Sequence, residues 1–507
     1  MDAQNPATLD PEHCYPALLA RDARFDGLWF VGVSSTGIYC RPICRVRAPR
    51  RENCTFFASA AQAEAARYRP CLKCRPELAP RAGNLAWSVM DASRTLARQA
   101  ADWLDRCDDP EASLEQLAAE LGISSRHLRR IFVAEHGVAP LQYLQTRRLL
   151  LAKQLLSDST LPITAVAHAA GFASLRRFNA AFAQHYRLQP SALRKPSVTA
   201  SPPRPGSPTL RLAYRPPYAV QALLQFIAQR AIPGIEAVDL AALRIERSLR
   251  LTHRGEPLQG RVMVQFDPAA TQLLVTPDAA LWPASASLLP MLRRWLDLDA
   301  EPERIDATLG ALAAGQPGLR LPGCTDRFEL AVRAVLGQQV TVAAARTLAT
   351  RLVQRFGSPL APGPGTSGGS AVTQLFPTPP ALASASVAQI AELGIVRQRA
   401  EALRAIAGAW PTLAFARGSG TPEQAQTELL ALPGVGPWTA AYMLMRGWSW
   451  PDAFPPGDIV LRRALASDPE QALSSAAADA ASAAYRPYRS YAVLHLWQAA
   501  ALKGKRP

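Results

Sequence analysis

The sequence predicts a multidomain chain, mainly α with α+β parts, and three observations carry that expectation. Four cysteines in two close pairs, Cys40 with Cys44 and Cys71 with Cys74, mark a small α+β domain built round a metal site. Two successive helix–glycine–helix units, from Ser113 and from Ile163, mark an all-α domain with tandem helix-turn-helix pairs. Past a stretch rich in Pro, Ser and Gly, the text LPGVG (432–436) marks a helix-hairpin-helix turn, in a body that begins as α+β and continues as helices.

A chain of 507 residues, 49% of them hydrophobic, has room for three or four domains. It has no run of about 18 apolar residues. Its start, MDAQNPATLDPEHC, lacks the basic-then-apolar pattern of a signal peptide, so a cytoplasmic protein with no membrane partner is expected. The net charge of +16 is shared: residues 1–208 carry 27 Lys or Arg against 18 Asp or Glu, and the remainder 29 against 22. Either half can therefore meet an acidic polymer.

The four cysteines are spaced C-x3-C and C-x2-C, with 26 residues between the pairs. Two short pairs, each on its own turn, can set four thiolate sulfurs at the corners of a tetrahedron round one Zn2+. A disulfide framework fits poorly, because Cys14, Cys54, Cys107 and Cys324 are scattered and the signal-peptide pattern is missing. A site that merely staples a small fold is the other alternative. Charge weighs against it: residues 41–81 hold ten Lys or Arg and three Asp or Glu, a dense positive field on a segment too small for a large core. Arg41, Arg45 and Arg47 are the candidates for phosphate contacts, with solvated surface charge as the alternative.

Through STGIYCRPICRVRA and the later YRPCLKCRPE, the chain resembles the amino-terminal domain of the Ada methylation-response proteins over residues 11–80. The resemblance implies that Cys40 both ligates zinc and accepts a methyl group from a DNA methylphosphotriester, whereas Cys44, Cys71 and Cys74 are ligands alone. A metal-held cysteine is a thiolate near neutral pH, and the thiolate is the attacking species, so no separate base is needed. Methylation takes a four-thiolate zinc centre from about −2 to about −1 and so lessens its repulsion of DNA phosphate.

In SLEQLAAELGISSRHLRRIF, from Ser113, the side chains Leu114, Leu117, Ala118 and Leu121 share one helical face, and Ser113 with Gln116 forms a capping box. Gly122 ends that helix. Ser124 caps the next, whose Leu128, Ile131 and Phe132 face inward while Arg126, His127, Arg129 and Arg130 stay outside, as in a helix that enters a major groove. ITAVAHAAGFASLRRFNAAFAQHY repeats the plan, with a turn at Gly171 and an outer face of Ser174, Arg176, Arg177 and Asn179. One such unit is common in proteins with no DNA role. Two in tandem, with TRRLLLAKQLLSDSTLPI between them and GFASLRRFNAAFAQHYRLQPSALRK at the end, resemble the AraC-type DNA-binding domain over residues 85–195. That resemblance makes Arg126, Arg130, Arg176 and Arg177 candidates for base or phosphate contact. Double-stranded promoter DNA is the expected partner and, for a transcriptional activator, RNA polymerase a further one.

KPSVTASPPRPGSPTL (195–210) has no apolar period and is expected to be a linker. The expected domains are therefore 1–82, the zinc domain; 83–195, the helix-turn-helix domain; 196–208, the linker; 209–285, an α+β subdomain; and 286–507, a helix-hairpin-helix domain. FGSPLAPGPGTSGGSAVTQLFPTPP (356–380) is expected to be a loop insertion without chemistry.

Gly434 and Gly436 let the hairpin backbone approach a ligand, and the helix after them offers unpaired N–H groups to a DNA phosphate. The turn carbonyls are also a candidate site for a monovalent cation. A plain glycine turn between core helices is the alternative, and Asp458 in FPPGDIV, which follows the hairpin, weighs against it. This order of hairpin and acid, with LRLPGCTDRFELAVRAVLGQQVTV before it and YRPYRSYAVLHLW after it, resembles the AlkA-type 3-methyladenine DNA glycosylases over residues 209–502. The resemblance implies that alkylated DNA is the substrate, that Asp458 is the essential carboxylate and that Trp438, Tyr442 and Trp497 line the cleft for the base. It also places Gln339 where the family has a leucine wedge that fills the gap left by the extruded base. A carboxylate beside C1′ stabilises the oxocarbenium charge that develops as an N-glycosidic bond breaks. A cationic alkylpurine leaves easily and sits well against aromatic faces.

Absences narrow the class. Trp438 stands where bifunctional relatives carry a lysine nucleophile, so a monofunctional enzyme is expected. No cysteine follows Cys324, which excludes the iron–sulfur cluster of other relatives, and no Pro-Cys-His-Arg motif offers a second methyl acceptor. Cys324, in PGCTDR, is expected to be a buried small apolar residue. The expected whole is an alkylation-response fusion that senses methyl damage, binds DNA and excises alkylated purines. Two rivals stay open: a pure regulator with an inactive glycosylase fold, and a glycosylase merely tethered to DNA by its front half.

Overall fold

In the computed structural model, which describes residues 9–81, 92–194 without 108 and 110, and 208–503 without 362–369, 419, 467, 469 and 470, a short sheet brings the two cysteine pairs together. Its strands run in the order Cys54–Phe57, Phe30–Val33, Ile38–Cys40, Arg69–Pro70. Phe30–Val33 is antiparallel to both its neighbours, and the tight turn to Ile38–Cys40 uses Gly37 at φ +64°. Ile38–Cys40 is parallel to Arg69–Pro70 with Tyr39 opposite Pro70, so the next residues along the two strands are Cys40 and Cys71. Tyr39 is fully buried and packs edge-to-face on Phe30, which fixes the facing of the strand.

The all-α domain has the expected pattern. Helices Leu114–Glu120 and Ser125–His136 form the first unit: Ser113 and Gln116 make the capping box, Gly122 turns at φ +68°, and the Ser124 side chain accepts the His127 N–H. The long helix Pro140–Asp158 leads to the second unit, Ile163–Ala169 and Leu175–Tyr186, where Gly171 turns at φ +83° and Ser174 caps. Leu117, Leu128 and Phe132 are buried in the first unit, Val166, Phe178 and Phe182 in the second.

The second half opens with an antiparallel five-stranded sheet, in the order Leu210–Ala213, Gln272–Pro277, Glu256–Asp267, Arg244–His253, Glu236–Asp239, accompanied by helix Val220–Arg230. Helices dominate from Ser285 onward. The stretch expected to be a plain loop insertion is more ordered than that. Ser358–Pro359 pairs with Gln374–Leu375, and Val372 bridges to Gly234 and accepts from Arg261 Nε at 2.7 Å, so the insertion is pinned to the sheet subdomain; its residues 362–369 lie outside the described residues.

Nearly all of the expected linker, through residue 207, lies outside the described residues, but the halves it joins share a core. Leu149, Val166 and Phe178 of the helical domain belong to one apolar cluster with Leu212, Val264 and Trp295 of the second half. Arg215, 1% exposed, binds the halves by donating to the carbonyls of Asp26 (2.9 Å), Asp299 (2.8 Å) and Arg81. Arg293 donates to the carbonyls of Leu78 and Ala79, both at 3.2 Å.

Candidate metal centre, DNA-binding helices and base cleft

The sulfurs of Cys40, Cys44, Cys71 and Cys74 lie within 4.8 Å of one another. No histidine or carboxylate joins that group among the described residues, and four soft sulfur donors at this spacing fit a tetrahedral Zn2+. Bound there, the metal holds the cysteines as thiolates. The Arg41 N–H donates to Cys74 Sγ at 3.3 Å.

Arg41 does not stand where phosphate contact requires. It is 5% exposed, its Nε donates to Asp26 Oδ1 at 2.8 Å, Nη2 reaches the other oxygen, and Nη1 donates to the Cys74 carbonyl at 3.0 Å. The buried Asp26 carboxylate needs a cation and captures it, so Arg41 braces the metal turn. Arg45 and Arg47 are exposed.

Arg126, Arg129 and Arg130 on the first candidate recognition helix, and Arg176 and Arg177 on the second, are exposed over buried apolar faces. Sequence reasoning missed the ionic contacts that seat the zinc domain on this one. His185 Nε2 lies 2.7 Å from Glu64, which also accepts from Tyr39 Oη at 2.9 Å. Lys153 and Arg75 meet Glu77 at 2.5 and 2.9 Å, and Arg75 meets Asp158 at 2.6 Å. The pairs that cross between the two domains have no local sequence signal, since Lys153–Glu77, Arg75–Asp158 and His185–Glu64 join partners 76, 83 and 121 residues apart in the chain.

In the second half the hairpin glycine Gly434 takes φ +75°, where an added Cβ would stand 2.6 Å from that of Ala402. Gly436 begins helix Pro437–Gly447, which no side chain caps. On that helix Trp438 and Tyr442, one turn apart, stack with centroids 5.2 Å apart and planes 8° from parallel, and Trp497 stands 6.3 Å from Tyr442. Asp458 caps helix Ile459–Ala464: its Oδ1 accepts the N–H groups of Val460 (2.9 Å) and Leu461 (3.0 Å). Its Oδ2 accepts the indole N–H groups of Trp438 (2.9 Å) and Trp497 (3.3 Å). The three aromatics and the acid thus form one contiguous cluster.

Behind it stand residues that sequence reasoning did not single out. Arg446 Nη1 donates to Tyr442 Oη at 2.8 Å, and its guanidinium lies over Phe226, as does that of Arg230. Burial pushes the Tyr442 hydroxyl upward, but Arg446 and Arg230 outweigh it and hold the group below its ordinary range. Arg446 was findable, at i+4 from Tyr442 on a helix; Phe226 comes from another subdomain. Cys324 is half-buried, and burial raises its thiol to about 11, far from a nucleophile. Gln339 is exposed, with φ +53°. The carbonyl of Gly434, one acceptor of the expected cation site, takes a hydrogen bond from Gln338 Nε2 at 2.8 Å.

Fold and sites together define a DNA-binding regulator joined to a helix-hairpin-helix glycosylase body. Four family models match in order: the metal binding domain of Ada at 13–77, a helix-turn-helix domain at 117–196, the AlkA N-terminal domain at 209–326, and the HhH-GPD superfamily of base excision DNA repair proteins at 332–468. A probable bifunctional transcriptional activator/DNA repair enzyme AlkA of Mycobacterium tuberculosis is 38% identical over 96% of both chains. DNA-3-methyladenine glycosylase 2 of Escherichia coli is 37% identical over 56% of this chain and 95% of its own. The bifunctional transcriptional activator/DNA repair enzyme Ada of the same organism is 33% identical over 32% of this chain and 43% of its own. The chain belongs to the family of bifunctional transcriptional activator/DNA repair enzymes in which Ada-type domains precede an AlkA-type glycosylase.

Proposed function

We propose that the chain is a cytoplasmic alkylation-response protein. Its Cys40 takes a methyl group from DNA methylphosphotriesters, its tandem helices bind promoter DNA and engage RNA polymerase, and its Asp458 cleft excises alkylated purines of the 3-methyladenine type. In the first step Cys40 Sγ attacks the methyl carbon, the carbon–oxygen bond of the ester breaks, and a phosphodiester anion leaves. The choice of Cys40 over its three partners rests on the likeness of STGIYCRPICRVRA to the Ada-type metal binding domain, whose first cysteine of the first pair accepts the methyl group. The exposure of Arg45 and Arg47 supports a role in holding phosphate, and that of Arg126, Arg130, Arg176 and Arg177 a role in contacting groove or backbone.

The observation that carries the enzyme is the seating of Asp458. Four N–H donors fix its carboxylate at the edge of an aromatic cleft, where it stands as a fixed negative charge beside C1′ of a flipped nucleotide. The glycosidic bond breaks, its electrons neutralise the cationic base, and water adds to C1′ and gives up a proton. Trp438 in the lysine position supports hydrolysis without a Schiff base.

The test is Asp458→Asn in the full chain. Release of 3-methyladenine should fall to background while operator binding persists; undiminished release would refute the enzyme assignment, and a silent wild type would favour a pure regulator. For the sensor, mass spectrometry after incubation with methylphosphotriester DNA should place the methyl group on Cys40, and a label on Cys44, Cys71 or Cys74 would overturn that choice.

A further inference from the structure

Hydrogen bonds and one short backbone strap run in line from the metal turn to the aromatic cluster. Arg41, the residue after Cys40, grips the other cysteine pair twice: its backbone N–H donates to Cys74 Sγ at 3.3 Å and its Nη1 to the Cys74 carbonyl at 3.0 Å. The same guanidinium holds the Asp26 carboxylate through Nε at 2.8 Å. The Asp26 carbonyl accepts from Arg215 Nε at 2.9 Å, which carries the line into the second half, and the Arg215 carbonyl accepts from Arg320 Nη2 at 2.5 Å. Residues 320–323 form the strap. They are buried, Leu321 N–H donates to Asp297 at 2.9 Å, and a Cβ added at Gly323 would stand 2.5 Å from the Arg294 carbonyl oxygen, so the strap has no room to buckle. Its far end, the carbonyls of Pro322 and Gly323, accepts from Arg446 Nε at 2.8 Å and Nη2 at 3.0 Å, and Arg446 Nη1 ends the line on Tyr442 Oη at 2.8 Å. Arg41, Asp26, Arg215, Arg320 and Arg446 are each at most 8% exposed, so water does not replace a partner that moves.

We propose that methylation of Cys40 slows base excision through this line. When Cys40 Sγ takes the methyl carbon and the phosphodiester anion leaves, a buried sulfur gains a carbon and loses its negative charge. Cys40 is 5% exposed and its sulfur has three others within 4.8 Å, so the methyl group overfills the site and the strand end that carries it shifts. The less negative centre also holds the neighbouring guanidinium less firmly. Arg41 moves with Cys40, Asp26 moves with Arg41, and Arg215 follows its acceptor or loses it; the strap then releases Arg446 from the position that fixes the Tyr442 hydroxyl. Tyr442 is stacked on Trp438, whose indole N–H holds Asp458, so a loosened Tyr442 costs the carboxylate its aim. Arg215 and Arg446 are positioning residues in this scheme. A chain that has taken a methyl group and turned to its promoter thus works less as an excision enzyme.

The Cys40 and glycosylase readings both underlie this inference, and the test separates the three. The full zinc-loaded chain is incubated with a methylphosphotriester duplex or with the same duplex unmodified, recovered free of DNA at high salt, and checked for methyl uptake by mass spectrometry. Single-turnover release of 7-methylguanine is then measured from a separate duplex without phosphotriesters. Methylated wild type should release the base about fivefold or more slowly than the unmethylated protein. Arg215→Gln should bring the two rates within about 1.5-fold of each other. Arg41→Lys should do the same from the other end of the line, and it guards against misfolding, because lysine keeps a cation on Asp26 but cannot also reach the Cys74 carbonyl. A merely structural role for these arginines would lower both rates together and leave their ratio as in wild type. Methylated wild type as fast as the unmethylated protein or faster, or variants that keep the wild-type ratio, would overturn the proposal alone. A chain that takes up no methyl group would refute the Cys40 reading, and one that releases no base the glycosylase reading; either result refutes the proposal with it.

Discussion

Trp438 donates its indole N–H to Asp458 Oδ2 at 2.9 Å, and Trp497 reaches the same oxygen at 3.3 Å. The aromatic rings expected as walls for the base therefore also aim the acid. Loss of the N–H without loss of most of the ring separates the two roles. Trp438→Phe should lower kcat about 10- to 100-fold while KM moves far less, measured by steady-state release of alkylated base. A change confined to KM would mean that Trp438 binds the base and does not orient the carboxylate.

Asp458 also caps a helix, so its catalytic and structural contributions must be told apart. Asn caps about as well as Asp, and Asp458→Asn should melt within about 2 °C of wild type while excision disappears. Asp458→Ala loses both and should be about 1 kcal/mol less stable. Thermal unfolding of the two variants checks this.

Where chemistry demanded a local pattern, the sequence was readable. The cysteine spacing, the Ser113 capping box, the glycine turns at Gly122, Gly171 and Gly434, and the sequence order of Trp438, Tyr442 and Asp458 all sit within short stretches of chain. Arg41 was misread because density of charge says nothing about which arginine a buried acid will capture, and Asp26 lies 15 residues upstream. The reach of Arg215 and Arg293 into the front half was invisible for a similar reason: the acceptors they meet there are backbone carbonyls, and a carbonyl leaves no mark in sequence.

Those arginines make metal removal felt far from the metal. Chelation strips the four cysteines of their shared cation, and the small sheet that they close should loosen. Arg215 and Arg293 then lose carbonyl acceptors at Asp26, Leu78 and Ala79, each orphaned donor costing about 1–3 kcal/mol. A chelated sample should lose methyl uptake and also show the second half melting lower, on the order of 5 °C, by calorimetry.

For the helical domain, substitution of Arg176 or Arg177 by alanine should weaken DNA binding with little change in fold, because both are exposed. If the arginine holds a phosphate, the slope of log affinity against log salt should fall by about one; if it reads a base, discrimination at one position should relax by about 1–3 kcal/mol instead. Titrations at several salt concentrations on operator and scrambled duplexes distinguish the two.

Glu77 offers the sharpest test of the contact between zinc domain and helical domain. Its carboxylate is buried between Lys153 at 2.5 Å and Arg75 at 2.9 Å. Burial pushes its pKa up, but the two cations outweigh burial and hold it below its ordinary 4.5. A folded value lower than the unfolded one adds stability that is complete above the ordinary value and is lost as pH falls through the folded one. Glu77→Ala leaves Lys153 buried without its carboxylate and should cost about 3–5 kcal/mol at pH 7. The pair Glu77→Leu with Lys153→Met removes both charges, so it should recover much of that loss and should also lose less stability than wild type on acidification below pH 4.5. Urea unfolding of the three proteins at neutral and acid pH measures both effects. A double variant as unstable as Glu77→Ala would show that Glu77 contributes through Arg75 and the metal-site turn, and not through Lys153.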